Sequence, residues 1–192
     1  MKKPRMTKQI IVTLFMAFIM IFSVFAVIFD RYTNVVKLRY NGYSFVQNGN
    51  LFATKVNGKE VYFDNFPKYV EDINISKDII NRILNTKMLY VTYDLSQDPQ
   101  KIMGKVQFDL QNALWSNFKI YAESALMNET KYKPPVFTCR NATAAVPVIE
   151  LSYSNETEIK LEGNCISFYA DNDEGLKRLK DRLLLGLFGI MK

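Results

Sequence analysis

The chain has 192 residues, 48% hydrophobic and 14% aromatic, with a formal charge of +6; this suits one domain plus a short extra element and excludes a disordered chain. Lys2, Lys3, Arg5 and Lys8 are the only charged side chains before Asp30, so residues 30–192 hold 21 basic and 19 acidic residues, a net charge of +2. No Lys/Arg stripe interleaves with aromatics as a phosphate-tracking surface requires, so no nucleic acid partner is expected.

From Gln9 to Phe29 the chain reads QIIVTLFMAFIMIFSVFAVIF, 21 residues without charge or proline. A helix needs about 20 such residues to cross a hydrocarbon core roughly 30 Å thick. Residues 9–29 are therefore expected to lie in the lipid bilayer as a transmembrane signal-anchor. The basic tail, 1–8, stays cytoplasmic and residues 30–192 form an extracytoplasmic domain on the other side of the cell membrane. A cleavable signal peptide cut after Ala26 is the alternative, although apolar character continues through Val27, Ile28 and Phe29. Either way residues 30–192 are exported.

Residues 35–66 alternate apolar and polar around Asn41-Gly42, Asn48-Gly49 and Asn57-Gly58, which predicts strands near 35–40, 43–47, 50–56 and 60–64 in a meander. A short helix is predicted over 76–85, N-capped by Ser76, with Ile79, Ile80, Ile83 and Leu84 on its apolar face. Residues 87–94 read as a buried strand. A longer helix follows, with Asp98 as N-cap, Pro99 in its first turn and a core stripe of Ile102, Val106, Leu110, Ala113 and Leu114. Phe108 and Trp115, seven apart, form a flanking stripe: a wide buried face or a partner groove.

Strands are predicted near 119–126, 146–153, 157–162 and 164–170, the second and third forming a hairpin with Asn155 at its tip. Residues 67–75 and 127–137 are the long loops. The last helix places Leu176, Leu179, Leu183 and Leu187 inward and Lys177, Arg178, Lys180 and Arg182 outward, with Asp173 and Glu174 at its positive end. Its final run, Leu183–Met191, is wholly apolar and is expected to be buried; a docking site or a return to the membrane surface are the alternatives. The expected fold class is α+β: an N-terminal transmembrane helix, then one mostly antiparallel sheet with two longer helices packed on one face.

Cys139 and Cys165 are the only cysteines, and both fall in the exported part. An even count outside the reducing cytoplasm predicts a disulfide, which in a loop of this size stabilises by about 3 kcal/mol. Asn74, Asn128, Asn141 and Asn155 each open an Asn-x-Ser/Thr triplet and are the candidate N-glycosylation sites of a glycoprotein.

The chain has no histidine, which removes Ser-His-Asp and Cys-His catalysis and His-ligated zinc. No Walker loop, Gly-x-Ser-x-Gly or dinucleotide fingerprint occurs. Glu150, Glu158 and Glu162, with Lys160 among them, fit a solvated sheet face better than a catalytic carboxylate pair. Capping explains Asp94, Asp98, Asp171 and Asp173 without calcium. No catalytic, cofactor-binding or metal-binding residue is assigned.

The anchor, CRNAT followed by PVI, NETEIKLEGNCI and the closing RLLLGLFGIM resemble parts of uncharacterised small single-pass membrane proteins of archaeal type. The resemblance covers the anchor and the C-terminal half; it implies export and carries over no activity and no site residue. The expected function is a membrane-anchored, non-enzymatic binding or assembly module with a protein partner. The alternative is a carboxylate-dependent hydrolase acting on envelope glycans.

Overall fold

The computed structural model describes residues 8–33, 36–131 and 133–192, without the side chains of residues 9 and 27–33. The basic tail, apart from Lys8, lies outside the described residues. Helix α1, Lys8–Thr33, is 26 residues long. Every side chain described from Ile10 to Ala26 is exposed, the large apolar ones by 49–71%. Among the described residues no helix is long and apolar enough to cross a membrane.

The chain after α1 is α+β, but it builds two sheets where one was expected. Strands β1 (Lys37–Tyr40), β2 (Tyr43–Asn48), β3 (Leu51–Val56) and β4 (Lys59–Phe63) form an antiparallel meander in sequence order. Asn41-Gly42 and Asn57-Gly58 make its outer turns with both residues at positive φ, the backbone a type I′ turn demands. Helix α2 (Lys77–Leu84) follows, its cap made by Ser76, whose hydroxyl accepts from the Ile79 N–H.

The second sheet has the order β6-β5-β7-β9-β8, from β5 (Met88–Tyr93), β6 (Tyr121–Ser124), β7 (Val148–Tyr153), β8 (Glu158–Glu162) and β9 (Cys165–Ala170). Three of its four pairings are parallel, and only β8 with β9 is antiparallel. The expectation of a mostly antiparallel sheet is therefore wrong for this half. The cause lies in the connections: helix α3 (Ile102–Phe118) carries the chain from β5 back to a parallel β6, as crossovers of a dozen residues or more do. The predicted hairpin is also corrected. Strand β8 turns at Gly163–Asn164 and pairs with β9, so that β9, buried along both faces, fills the place beside β7. Asn155 lies on the β7–β8 connection.

Two longer helices cover one face of this sheet as expected. Helix α4 (Asp173–Leu187) packs against β9, α3 and α2. Its far end reaches the meander, with the Phe188 ring 6.2 Å from Phe63 and 5.0 Å from Phe118. Leu183 and Leu185 are fully enclosed, and Leu184, Leu187, Ile190 and Met191 nearly so, in one core that also holds Phe45, Phe63, Leu110, Ile149 and Phe168. The opposite face of the sheet is covered by the β6–β7 connection: Phe137 stacks on Tyr90 at 3.7 Å, and its carbonyl accepts from the Thr92 hydroxyl at 2.8 Å.

The start of α3 differs from the prediction. Lys101 takes a left-handed conformation and the helix begins at Ile102. Asp98 still caps it, since its carboxylate accepts from the N–H groups of Met103 and Gly104, both at 3.0 Å.

Candidate functional site

Strand β4, helix α3 and helix α4 enclose a cleft of about 380 Å³. Each wall brings its residues by periodicity. Alternation along β4 turns Glu60 and Tyr62 toward the rim while Val61 and Phe63 go to the core. On α3, Asp109, Asn112, Ala113, Ser116 and Asn117 recur at three- and four-residue spacing along one side. From α4 come Lys180 and Leu184, and from its C-cap Phe188, again four apart.

The polar floor centres on Lys180, 5% exposed. Its ammonium pairs with Asp64, with Asp109 at 3.5 Å and with the neighbouring Asp181 at 3.3 Å. Lys105 bridges the same two outer carboxylates, 2.7 Å from Asp109 and 3.9 Å from Asp64. Asp181 is wholly enclosed below the cleft, and one of its oxygens accepts from the Asn65 N–H at 2.7 Å and the Asn65 amide at 3.1 Å.

These placements fix the charge states. Burial pulls the Lys180 pKa down, but Asp181 and Asp64 outweigh it and hold the ammonium above the ordinary lysine value. Burial likewise raises Asp64, and Lys180, then Lys105, overcome it to leave the carboxyl below its usual range. Asp181 alone goes the other way, pushed up to about 6 by burial against the pull of Lys180. The aspartates and lysines of the open cleft are thus paired with one another, and Glu60 at the rim accepts from the Tyr62 hydroxyl. The one group with a raised carboxyl pKa is sealed from any substrate.

The expectation that Lys180 and Arg182 point outward is corrected. Both are buried, and the Arg182 guanidinium donates to the Ile73 carbonyl at 2.8 Å. Leu183, Leu184 and Leu185 occupy about 200° of the helix circumference between them at 100° per residue. That run was the available signal that α4 has hardly any solvent side. The polar neighbours on the same turns are enclosed with it.

Phe108 and Trp115, expected as part of a wide buried face, are instead 62% and 54% exposed on α3. Asn112, on the cleft wall, stands between them in helical spacing, and Lys119 lies over the Trp115 ring at 5.4 Å. An exposed aromatic ridge therefore runs beside the cleft.

The structure brings Cys139 and Cys165 to disulfide distance, with Cα atoms 5.1 Å apart. The bond ties the β6–β7 connection to the first residue of the interior strand β9. Glu150 accepts from the Cys139 N–H at 3.2 Å. Its carboxylate and the two sulfurs lie within 4.8 Å of one another, but sulfurs bonded to each other offer no thiolate to a metal. Glu158 pairs with Lys160 on edge strand β8 at 2.5 Å, away from the cleft, and Glu162 opposes Cys165 on the same hairpin. Asp94 and Asp98 act as caps, Asp171 accepts from the Thr157 hydroxyl and Asp173 from the Tyr153 hydroxyl.

All four sequon asparagines, Asn74, Asn128, Asn141 and Asn155, are exposed, and none lines the cleft. The Asn141 side-chain oxygen is engaged locally, accepting from the Thr138 N–H at 2.9 Å.

No family model, curated protein or solved structure matches this chain.

Proposed function

We propose that the protein is a membrane-anchored extracytoplasmic binding module, with residues 9–29 in the bilayer, residues 1–8 cytoplasmic and residues 30–192 outside. The observation that carries this reading is the apolar surface of α1, exposed along its described length and contributing no side chain to the buried core of the described residues. Water is a poor solvent for that much contiguous apolar surface. The described side chains span residues 10–26, about 25 Å of helix. The uncharged run in the sequence, residues 9–29, reaches the length a bilayer needs. The disulfide between Cys139 and Cys165 suits an oxidising compartment.

Binding, not hydrolysis, is the activity the domain suits. A carboxylate-dependent glycan hydrolase needs an accessible acid with a raised pKa facing a second carboxylate. Asp64 and Asp109 share lysines, Asp64 is held below the usual carboxyl range, and Asp181 is out of reach. The exposed Phe108–Trp115 ridge has the composition of an interaction hot spot for a protein partner. Affinity capture of the full chain from mild detergent, compared with a Phe108→Ala/Trp115→Ala variant, tests this. The variant should keep its melting temperature and lose the specifically co-purifying protein. Identical partner profiles would overturn the assignment of that ridge.

A further inference from the structure

We infer that the cleft between β4, α3 and α4 is a binding subsite for a neutral saccharide, an inference that rests on the binding-module reading. Its ion pairs limit what the cleft can take. Both ammonium groups, Lys105 and Lys180, already face carboxylates, so no uncompensated positive charge awaits a phosphate or carboxylate ligand. Each cleft aspartate is in turn paired with an ammonium and the rim carboxylate Glu60 accepts from the Tyr62 hydroxyl, so a divalent cation would first have to displace a lysine or that tyrosine. Among the described residues no grouping of metal-ligating side chains includes Asp64 or Asp109. A purely apolar ligand would leave this polar wall without solvent, which is costly.

A sugar ring is a different object: its edge presents hydroxyls that both donate and accept, and its faces present aliphatic C–H groups. The cleft matches both. The α3 wall offers the Asn112 amide and the Ser116 hydroxyl, side chains without a hydrogen-bond partner among the described residues. Beside them the Asn117 amide donates to the Ala113 carbonyl at 3.0 Å, which leaves its oxygen to accept. Asp109 and Lys105 add a charged acceptor and donor held in place by their own 2.7 Å pairing, a geometry that strengthens hydrogen bonds to a neutral ligand. Opposite stands Tyr62, its ring half exposed and its hydroxyl tied to Glu60 at 2.5 Å. The ring is an amphipathic face of the kind such ligands stack upon. Phe63, Leu184 and Phe188 close the apolar end. The volume, about 380 Å³, falls in the range of small-molecule sites.

The test titrates the intact chain, in detergent micelles without a sugar headgroup, with chitotetraose, maltotetraose and mannotetraose. Tetragalacturonate and spermine serve as the anionic and cationic comparisons. Binding is read by calorimetry and by the fluorescence of Trp115, the chain's single tryptophan. At least one neutral tetrasaccharide should bind with Kd of about 1 mM or tighter. Tyr62→Ala and Asn112→Ala should each weaken it by about tenfold or more with the melting temperature unchanged. Tyr69→Ala, at a still more exposed ring off the cleft, should leave it alone. The inference is overturned if none of the neutral sugars binds, if a charged probe binds instead, or if Tyr62→Ala and Asn112→Ala bind as the wild type does. Should the sugars fail while partner capture still depends on Phe108 and Trp115, only the saccharide assignment falls and the binding module stands. If both fail, the module reading falls with it.

Discussion

Asp181 sits sealed between α4 and the segment after β4, and its position makes it the residue whose charge responds to mild acid. Burial raises its pKa to about 6, above the roughly 3.9 of an unfolded aspartate. The folded chain therefore binds this proton at a pH where the unfolded chain has released it. The contribution of Asp181 to stability falls as pH rises between those two values. Asp64 acts in the opposite sense: with its pKa held below the ordinary range, its stabilisation is lost only as pH falls below that range. The two windows do not overlap. Asp181→Asn keeps an oxygen for the Asn65 donors and cannot titrate. In thermal unfolding followed from about pH 7 to about pH 4, the wild type should gain on the variant by on the order of 1–2 kcal/mol. Parallel curves would mean that Asp181 titrates as an unfolded aspartate does.

At the scale of elements, α4 is the centre of the domain and not its outer layer. Leu176, Leu179, Leu183 and Leu185 are completely buried, and the chain beyond the helix adds Ile190 and Met191 to the same core. Loss of one such side chain typically costs about 2–5 kcal/mol, and a domain has about 5–15 kcal/mol in all. Truncation after Arg182 should abolish cooperative unfolding, read by circular dichroism on heating. A truncated chain that melts as the full chain does would make the apolar run an interaction surface. The heptad-like leucine spacing announced this burial. The sequence also put Lys180 and Arg182 on the outside, because charge was assigned to solvent. Asp64 and the Ile73 carbonyl are distant in the chain and draw them inward.

For the whole molecule, the proposed function assigns the exposed α1 to lipid and the disulfide-tied domain to recognition. A membrane-impermeant protease applied to intact cells should remove residues 30–192 and leave a fragment of about 3–4 kDa, the mass of some 30 residues including a span of about 20. Protection of the domain until the membrane is opened would reverse the orientation. The topology of the second sheet was the least legible part of the fold. Largely buried strands such as β5 and β9 carry the apolar runs typical of parallel sheets, yet the hydrophobic pattern of β7 and β8 fits a hairpin equally well. Their separation by β9 is a long-range choice. The meander had no such ambiguity, because Asn-Gly turns at positive φ specify neighbours locally.

Local chemistry is what the sequence by itself determined: the uncharged run of residues 9–29, the Asn-Gly meander, the Ser76 cap, the Cys139–Cys165 pairing between the only two sulfurs, and the leucine stripe of α4. Each rests on residues close in the chain or on a choice with a single solution. Only the tertiary structure decided that the strands form two sheets, that β9 lies between β7 and β8, that Phe108 and Trp115 face outward, and that Asp64, Lys105, Asp109 and Lys180 meet in one cleft. Those outcomes depend on which surfaces cover one another. Burial and ion pairing join residues more than 100 positions apart, as Asp64 and Lys180 are, and no periodicity within either segment records the other.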